Sequence, residues 1–153
     1  MAGFYLRGVR LEGEIYTLLL EPTGNFELKY RFLKGHPPRF QEAYGRVVGR
    51  FSLDGSSLEL IPTSIQRADA GIPKLYQRVL WGERLYLVEA ELMEAFCKSV
   101  RSGSLKKDPD LFLIRQEDLE KPVWGLPAVP PEWRARLSPS PQENGSAAEG
   151  SGR

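Results

Sequence analysis

Residues 45–62, GRVVGRFSLDGSSLELIP, set two runs of β-forming residues either side of Asp54-Gly55, a dipeptide that strongly marks a two-residue hairpin turn. Side chains alternate across a strand, so Val47, Gly49, Phe51 and Leu53 share one face while Arg46, Arg50 and Ser52 share the other. After the turn, Leu58 and Leu60 alternate with Ser57 and Glu59. The hairpin therefore has one apolar and one polar face. A lone hairpin is marginally stable in water, so further strands must close over the apolar face.

The rest of the chain supplies them. Residues 4–21 read as extended, with Gly8 and Gly13 as points where one long strand bends or breaks into two. Pro22-Thr23-Gly24-Asn25 is a turn by composition, and Phe26, Leu28, Tyr30 and Phe32 then alternate strictly with Glu27, Lys29 and Arg31. Two successive prolines remove two ladder donors, so Gly35-His36-Pro37-Pro38-Arg39 reads as a loop leading through residues 40–44 into the hairpin, and Pro62 reads as the hairpin's end. Residues 75–80 and 84–88 form a further hairpin around Trp81-Gly82-Glu83.

The periodicity then changes. Met93, Phe96, Cys97 and Val100 recur at i, i+3, i+4 and i+7, which predicts one helix over about residues 89–102. Its early glutamates and late Lys98 and Arg101 complement the helix dipole, and Gly103 is placed to stop it. Residues 111–115 read as one more strand. Residues 121–137 are Pro-rich, but Val123, Trp124, Leu126, Val129 and Trp133 make them an ordered arm lying on the sheet rather than a linker. The expected fold is mainly β: about seven strands in a small, strongly curved antiparallel sheet, barrel or sandwich, with one helix plugging an end or packing on one face. A single domain over residues 1–137 and a disordered tail over 138–153, where no large apolar residue remains, complete the expectation.

Composition narrows the function. At 153 residues and 41% hydrophobic, a domain can bury about two thirds of its unfolded surface without disulfides. The single cysteine, Cys97, permits neither an internal disulfide nor a cysteine zinc site. No apolar run approaches the ~20 residues of a membrane-spanning helix, and no secretory leader is visible. A cytoplasmic location without membrane association is the expectation, unless a leader has already been removed. Net charge is +1, distributed as −1 over residues 1–24, +4 over 25–84 and −2 over 85–153. The central basic excess is modest for a dedicated nucleic-acid binder.

Candidate chemistry is sparse. His36, the only histidine, has no nucleophile or second ligand signalled beside it, and Cys97 lies on the helix's apolar stripe, where an inert, packed thiol is the ordinary outcome. Glu89, Glu91 and Glu94 are accounted for as helix N-terminal charge, Glu117, Asp118 and Glu120 as solvated surface, and Asp108-Pro109-Asp110 lacks the remaining ligands of a calcium loop. No glycine motif for phosphates is present. No catalytic residue, metal site or cofactor is assigned. The most informative set is basic: Lys29, Arg31, Arg46 and Arg50 project from one outward face by alternation, with Arg39, Arg67 and Arg78 at its margins. Trp81 and Trp124, with Trp133, are candidates for lining a barrel mouth or, more simply, for holding the domain together.

The expected function is a non-enzymatic binding or interaction module with an unidentified protein or small-molecule partner. The first alternative is an OB-like domain for single-stranded nucleic acid, which the shortage of outward aromatics disfavours; the second is a small hydrolase or lyase using acidic residues.

Overall fold

The computed structural model describes residues 2–7, 15–36, 39–66, 74–107 and 109–138. Among these residues eight strands follow in chain order: β1 (Gly3–Arg7), β2 (Ile15–Leu20), β3 (Asn25–His36), β4 (Arg39–Asp54), β5 (Ser57–Gln66), β6 (Leu75–Trp81), β7 (Arg84–Glu89) and β8 (Leu113–Arg115). Each pairs antiparallel with the next. Seven strands make a curled sheet, and three-residue β8 bridges β7 back to β1 through Tyr5 opposite Arg115 and Leu6 opposite Ile114. The result is a closed up-and-down barrel rather than a sandwich, with one strand more than the sequence count. A sheet this strongly twisted closes at about eight strands around an interior that side chains can fill.

Side chains do fill it. Tyr5, Leu18, Leu20, Phe26, Leu28, Tyr30, Val47, Leu58, Leu60, Tyr76, Leu85, Leu87 and Leu113 form one buried cluster. The alternation drawn on β3 and β4 holds for Phe26 and Tyr30, which are buried, and for Phe51, which is half-buried. The side chain of Phe32 lies outside the described residues. Each fully buried large apolar side chain contributes about 1.5–3 kcal/mol, so this inner layer is the main stabilising term.

The organising hairpin is longer than its sequence signal. β4 begins at Arg39 and β3 runs to His36, so residues expected to form a loop are paired as far as His36 opposite Arg39. Only Pro37 and Pro38, which cannot donate to a ladder, lie between them, outside the described residues. At the other end Pro62 does not terminate β5. The register shifts there, with Pro62 opposite Gly49 and Ser64 opposite Val48, and the strand continues to Gln66. A bulge accommodates the missing proline donor, and β5 is paired with β6 only over Ser57–Glu59.

The helix packs on a face and does not plug an end. A single 3-10 turn, Ala90–Leu92, leads into α1 (Met93–Ser102), which ends at Gly103 in the left-handed conformation. Met93, Phe96 and Cys97 of α1 pack on the outward side chains Val79, Tyr86, Val88 and Ile114 of β6, β7 and β8, with Val129 and Leu137 completing a second core. This explains why Leu85 to Val88 are all buried: inner and outer faces of β7 are both covered.

The Pro-rich stretch is an ordered arm, and it contains a second helix, α2 (Pro131–Leu137), not foreseen from the prolines. Pro131 opens it, where a missing N–H costs nothing. The arm crosses the β6–β7 turn so closely that a Cβ on Gly82 (φ +58) would sit 2.6 Å from the Pro122 carbonyl oxygen. Glu83 N–H donates to that carbonyl at 3.1 Å and Ala128 N–H to the Leu80 carbonyl at 2.7 Å, so the arm also covers the edge of β6.

The arm is anchored by a buried carboxylate. Asp118, fully buried in the turn after β8, accepts hydrogen bonds from Arg115 Nε and Nη2 (both 2.9 Å) and from the Leu85 backbone N–H (2.9 Å), and pairs with Lys121 Nζ at 2.7 Å. One side chain thereby ties β7, β8 and the start of the arm together. The proposed tail from residue 139 onward lies outside the described residues. No helix among the described residues is long and apolar enough to cross a membrane.

Candidate binding site

Among the described residues, helices cover β6, β7 and β8, and the outer face of β2, β3, β4 and β5 presents side chains. Register places Thr17 beside Lys29, Lys29 beside Arg46, and Arg46 beside Gln66, a row of four outward residues crossing four strands. The next outward pair on β3 and β4 is Arg31 opposite Tyr44. These six residues, with Tyr30 and Gly45 beneath them, line a cavity of about 690 Å³. That lies within the ~300–1,000 Å³ range of small-molecule sites.

Gly45 makes room for the Tyr30 ring at the floor of this cavity. It opposes Tyr30 in the register, and a Cβ at Gly45 would lie 1.9 Å from the Tyr30 ring. Glycine lets that ring lie directly against the β4 backbone, where it stacks on Tyr16 with centroids 5.8 Å apart.

Glu27 organises the charges. Its carboxylate lies 2.8 Å from Lys29 Nζ and 2.6 Å from Arg46 Nε, with Arg46 Nη2 at 2.5 Å. The hydrogen bond from Lys29, reinforced by those from Arg46, holds the Glu27 carboxyl below its ordinary pKa against the opposing effect of burial. Glu27 also lines a neighbouring cavity of about 350 Å³ together with Glu21, Asn25 and Thr63, and Arg46 borders both cavities. Among the described residues, the charged side chains lining the larger cavity are Lys29, Arg31 and Arg46, and those lining the smaller one are Glu21, Glu27 and Arg46.

Of the residues singled out from sequence, Lys29, Arg31 and Arg46 are brought together. Arg50 is on the same strand but pairs with Asn25 and Ile61, two register steps away, and lines neither cavity. Trp81 and Trp124 lie on the far side of the barrel. The Trp81 indole N–H donates to the Gly125 carbonyl at 3.0 Å and its ring packs against Tyr86, whereas Trp124 is 58% exposed on the arm. Trp133 packs against the second core, as Trp81 does, so these two tryptophans help to hold the arm and helices in place.

Three contributors escaped the sequence. Tyr44 was hidden in the segment assigned to a loop, although counting back two positions from Arg46 puts it on the same face. Gln66 lay beyond Pro62, taken as the strand's end. Nothing in the local pattern marks Thr17.

The remaining candidates are placed as follows. Cys97 is buried, and desolvation raises its thiol pKa despite the opposing charge of Arg136. Glu94 pairs with Arg136 at 2.9 Å on the surface, linking α1 to α2. His36 pairs through its backbone with Arg39; its side chain lies outside the described residues. No three His, Cys, Asp or Glu side chains converge as a metal site among the described residues. Comparison with protein-family models, curated proteins and solved structures found no match to this chain.

Proposed function

We propose that this protein is a non-enzymatic binding module whose site is the outer cavity over β2 to β5, and that its ligand is a small molecule carrying an oxyanion and a flat ring. The observation that carries this reading is the convergence of Lys29, Arg31, Arg46 and Tyr44 on one concavity. Guanidinium groups favour planar oxyanions through paired hydrogen bonds, and an exposed aromatic ring offers a stacking surface that a purely cationic face lacks. Tyr44, 54% exposed, supplies the aromatic element that the sequence alone lacked. A cytoplasmic setting belongs to the same proposal.

Single-stranded nucleic acid is the second reading, favoured by the same pairing of cations and aromatic. The sequential order β1 to β8 differs from the five-stranded Greek key of an OB domain, so that reading rests on surface chemistry alone.

The test is binding of an aromatic sulfonate, 8-anilinonaphthalene-1-sulfonate, followed by fluorescence. The parent binds with an affinity that falls as salt rises, and Lys29→Ala/Arg46→Ala, checked for unchanged circular dichroism, loses most of it. Undiminished binding by that folded variant refutes the assignment.

A further inference from the structure

We infer that the barrel mouth at the β4–β5 and β6–β7 turns is a second site, where Arg78 binds the carboxylate of a small aliphatic acid whose chain lies on Leu53 and Leu80. This site is separate from the outer cavity and does not depend on it.

Arg78, expected from sequence at the margin of the outward basic face, is turned inward by the register. It is opposite fully buried Leu87 of the inner cluster and two positions after Tyr76 of the same cluster, whereas its neighbour Val79 belongs to the second core outside.

Its charge has no counter-ion. Among the described residues a second cation, Arg115 opposite Tyr5, also faces the interior at this end, but Asp118 and Glu117 neutralise it at 2.9 Å each. Arg78 Nη1 donates only to the Gly55 carbonyl of the β4–β5 turn, at 3.3 Å, and its Nε is buried without an acceptor. No carboxylate among the described residues, Glu89 of β7 included, lies within ion-pair distance of it. A partly buried charge without a partner costs stability, which a bound anion recovers.

The surroundings of that charge are apolar and open. Leu53 and Leu80 face the interior opposite buried Leu58 and Leu85, yet they are 44% and 52% exposed, so the barrel is not closed over them. Leu53 lies in the row of Leu58 and Tyr76, one interior step before Arg78, and Leu80 is one interior step after it. The inner cluster fills the barrel below, so a ligand lies across the mouth instead of entering it. One guanidinium matches one negative charge and pairs its donors with both carboxylate oxygens, while the flanking leucines match an apolar body. Together they select an aliphatic monocarboxylate over a phosphate or a sugar acid.

Isothermal titration of the full chain with hexanoate, acetate and hexanol tests this. Hexanoate is expected to bind about tenfold more tightly than either, because acetate lacks the chain and hexanol the charge. Arg78→Met, checked for unchanged circular dichroism, weakens hexanoate about tenfold and leaves hexanol as it was. Leu80→Ala weakens both. On the parent protein, which needs no substitution, hexanoate shifts the backbone amides of Leu53, Arg78 and Leu80 in NMR spectra. No hexanoate binding, binding that survives Arg78→Met, or amide shifts confined to the face of β2 to β5 overturns the assignment. Lys29→Ala/Arg46→Ala keeps its hexanoate affinity, so failure of the sulfonate probe at the outer cavity leaves this site standing, and failure of hexanoate leaves the outer cavity; hexanoate binding lost in that variant and kept in Arg78→Met places the acid in the outer cavity and refutes the mouth site.

Discussion

Replacing Asp118 with asparagine separates what its charge contributes from what its shape contributes. Burial alone would raise the pKa of this carboxyl, but hydrogen bonds from Arg115, Lys121 and the Leu85 N–H outweigh it and bring it down from 3.8 to about 2. A group whose pKa is depressed on folding contributes stability that is complete above its unfolded value and is lost as pH falls through the folded one. The contribution is therefore intact above about pH 4 and disappears toward pH 2. At about 1.36 kcal/mol per unit, the shift corresponds to about 2 kcal/mol. Asparagine resembles the protonated acid and retains an acceptor for Leu85 N–H, so Asp118→Asn should lose about 2 kcal/mol at pH 7. Asp118→Ala also strands that buried N–H and leaves Arg115 without its carboxylate, and should cost about 3–5 kcal/mol. Urea unfolding at pH 7 and pH 3 measures both effects. The parent should lose stability between these values and approach Asp118→Asn, which should vary less. An Asp118→Asn protein within about 0.5 kcal/mol of the parent, with the same pH slope, would refute the anchoring role.

Three further outcomes follow from the barrel and its outer layer. Tyr5, fully buried in the barrel, has its phenol pushed up to about 12 by desolvation, partly offset by Arg115 and Arg78. Its contribution is complete below pH 10 and is lost as pH rises toward 12, so part of the phenolate absorbance change should coincide with alkaline unfolding, and that part should shrink in Tyr5→Phe. Gly45→Ala forces a methyl into the Tyr30 ring, 1.9 Å away, and should lower stability by about 1–3 kcal/mol in chemical denaturation; an unaffected midpoint would mean the ring moves freely. Cys97, on the buried face of α1 with its pKa raised, should resist a thiol reagent in the native protein and react at once in denaturant, and rapid native labelling would contradict the second core.

Legibility in the sequence tracked how local the physics was. The turn at Asp54-Gly55, the alternation of Phe26, Leu28 and Tyr30, and the 3.6-residue stripe of Met93, Phe96, Cys97 and Val100 depend on near neighbours, and each became the expected element. The choice of barrel over sandwich depended on β8, whose three residues pair with strands far away in the chain. Pro62 misled because a proline removes a donor without revealing whether the partner strand needs it; opposite Gly49, a bulge absorbs the loss. Asp118 looked like one of three surface acids because burial by the arm is a tertiary event. The basic residues Lys29, Arg31 and Arg46 were legible by alternation, but their cavity was not, because it needs Gln66 and Tyr44 from segments read as outside the sheet.

Mapping backbone amide shifts by NMR during titration with the aromatic sulfonate tests the central claim most directly. The account predicts that the largest perturbations fall on Thr17, Lys29, Arg31, Tyr44, Arg46 and Gln66, across four adjacent strands on one face. Perturbations centred on Trp124 and Leu126 of the arm, with that face unmoved, would contradict it.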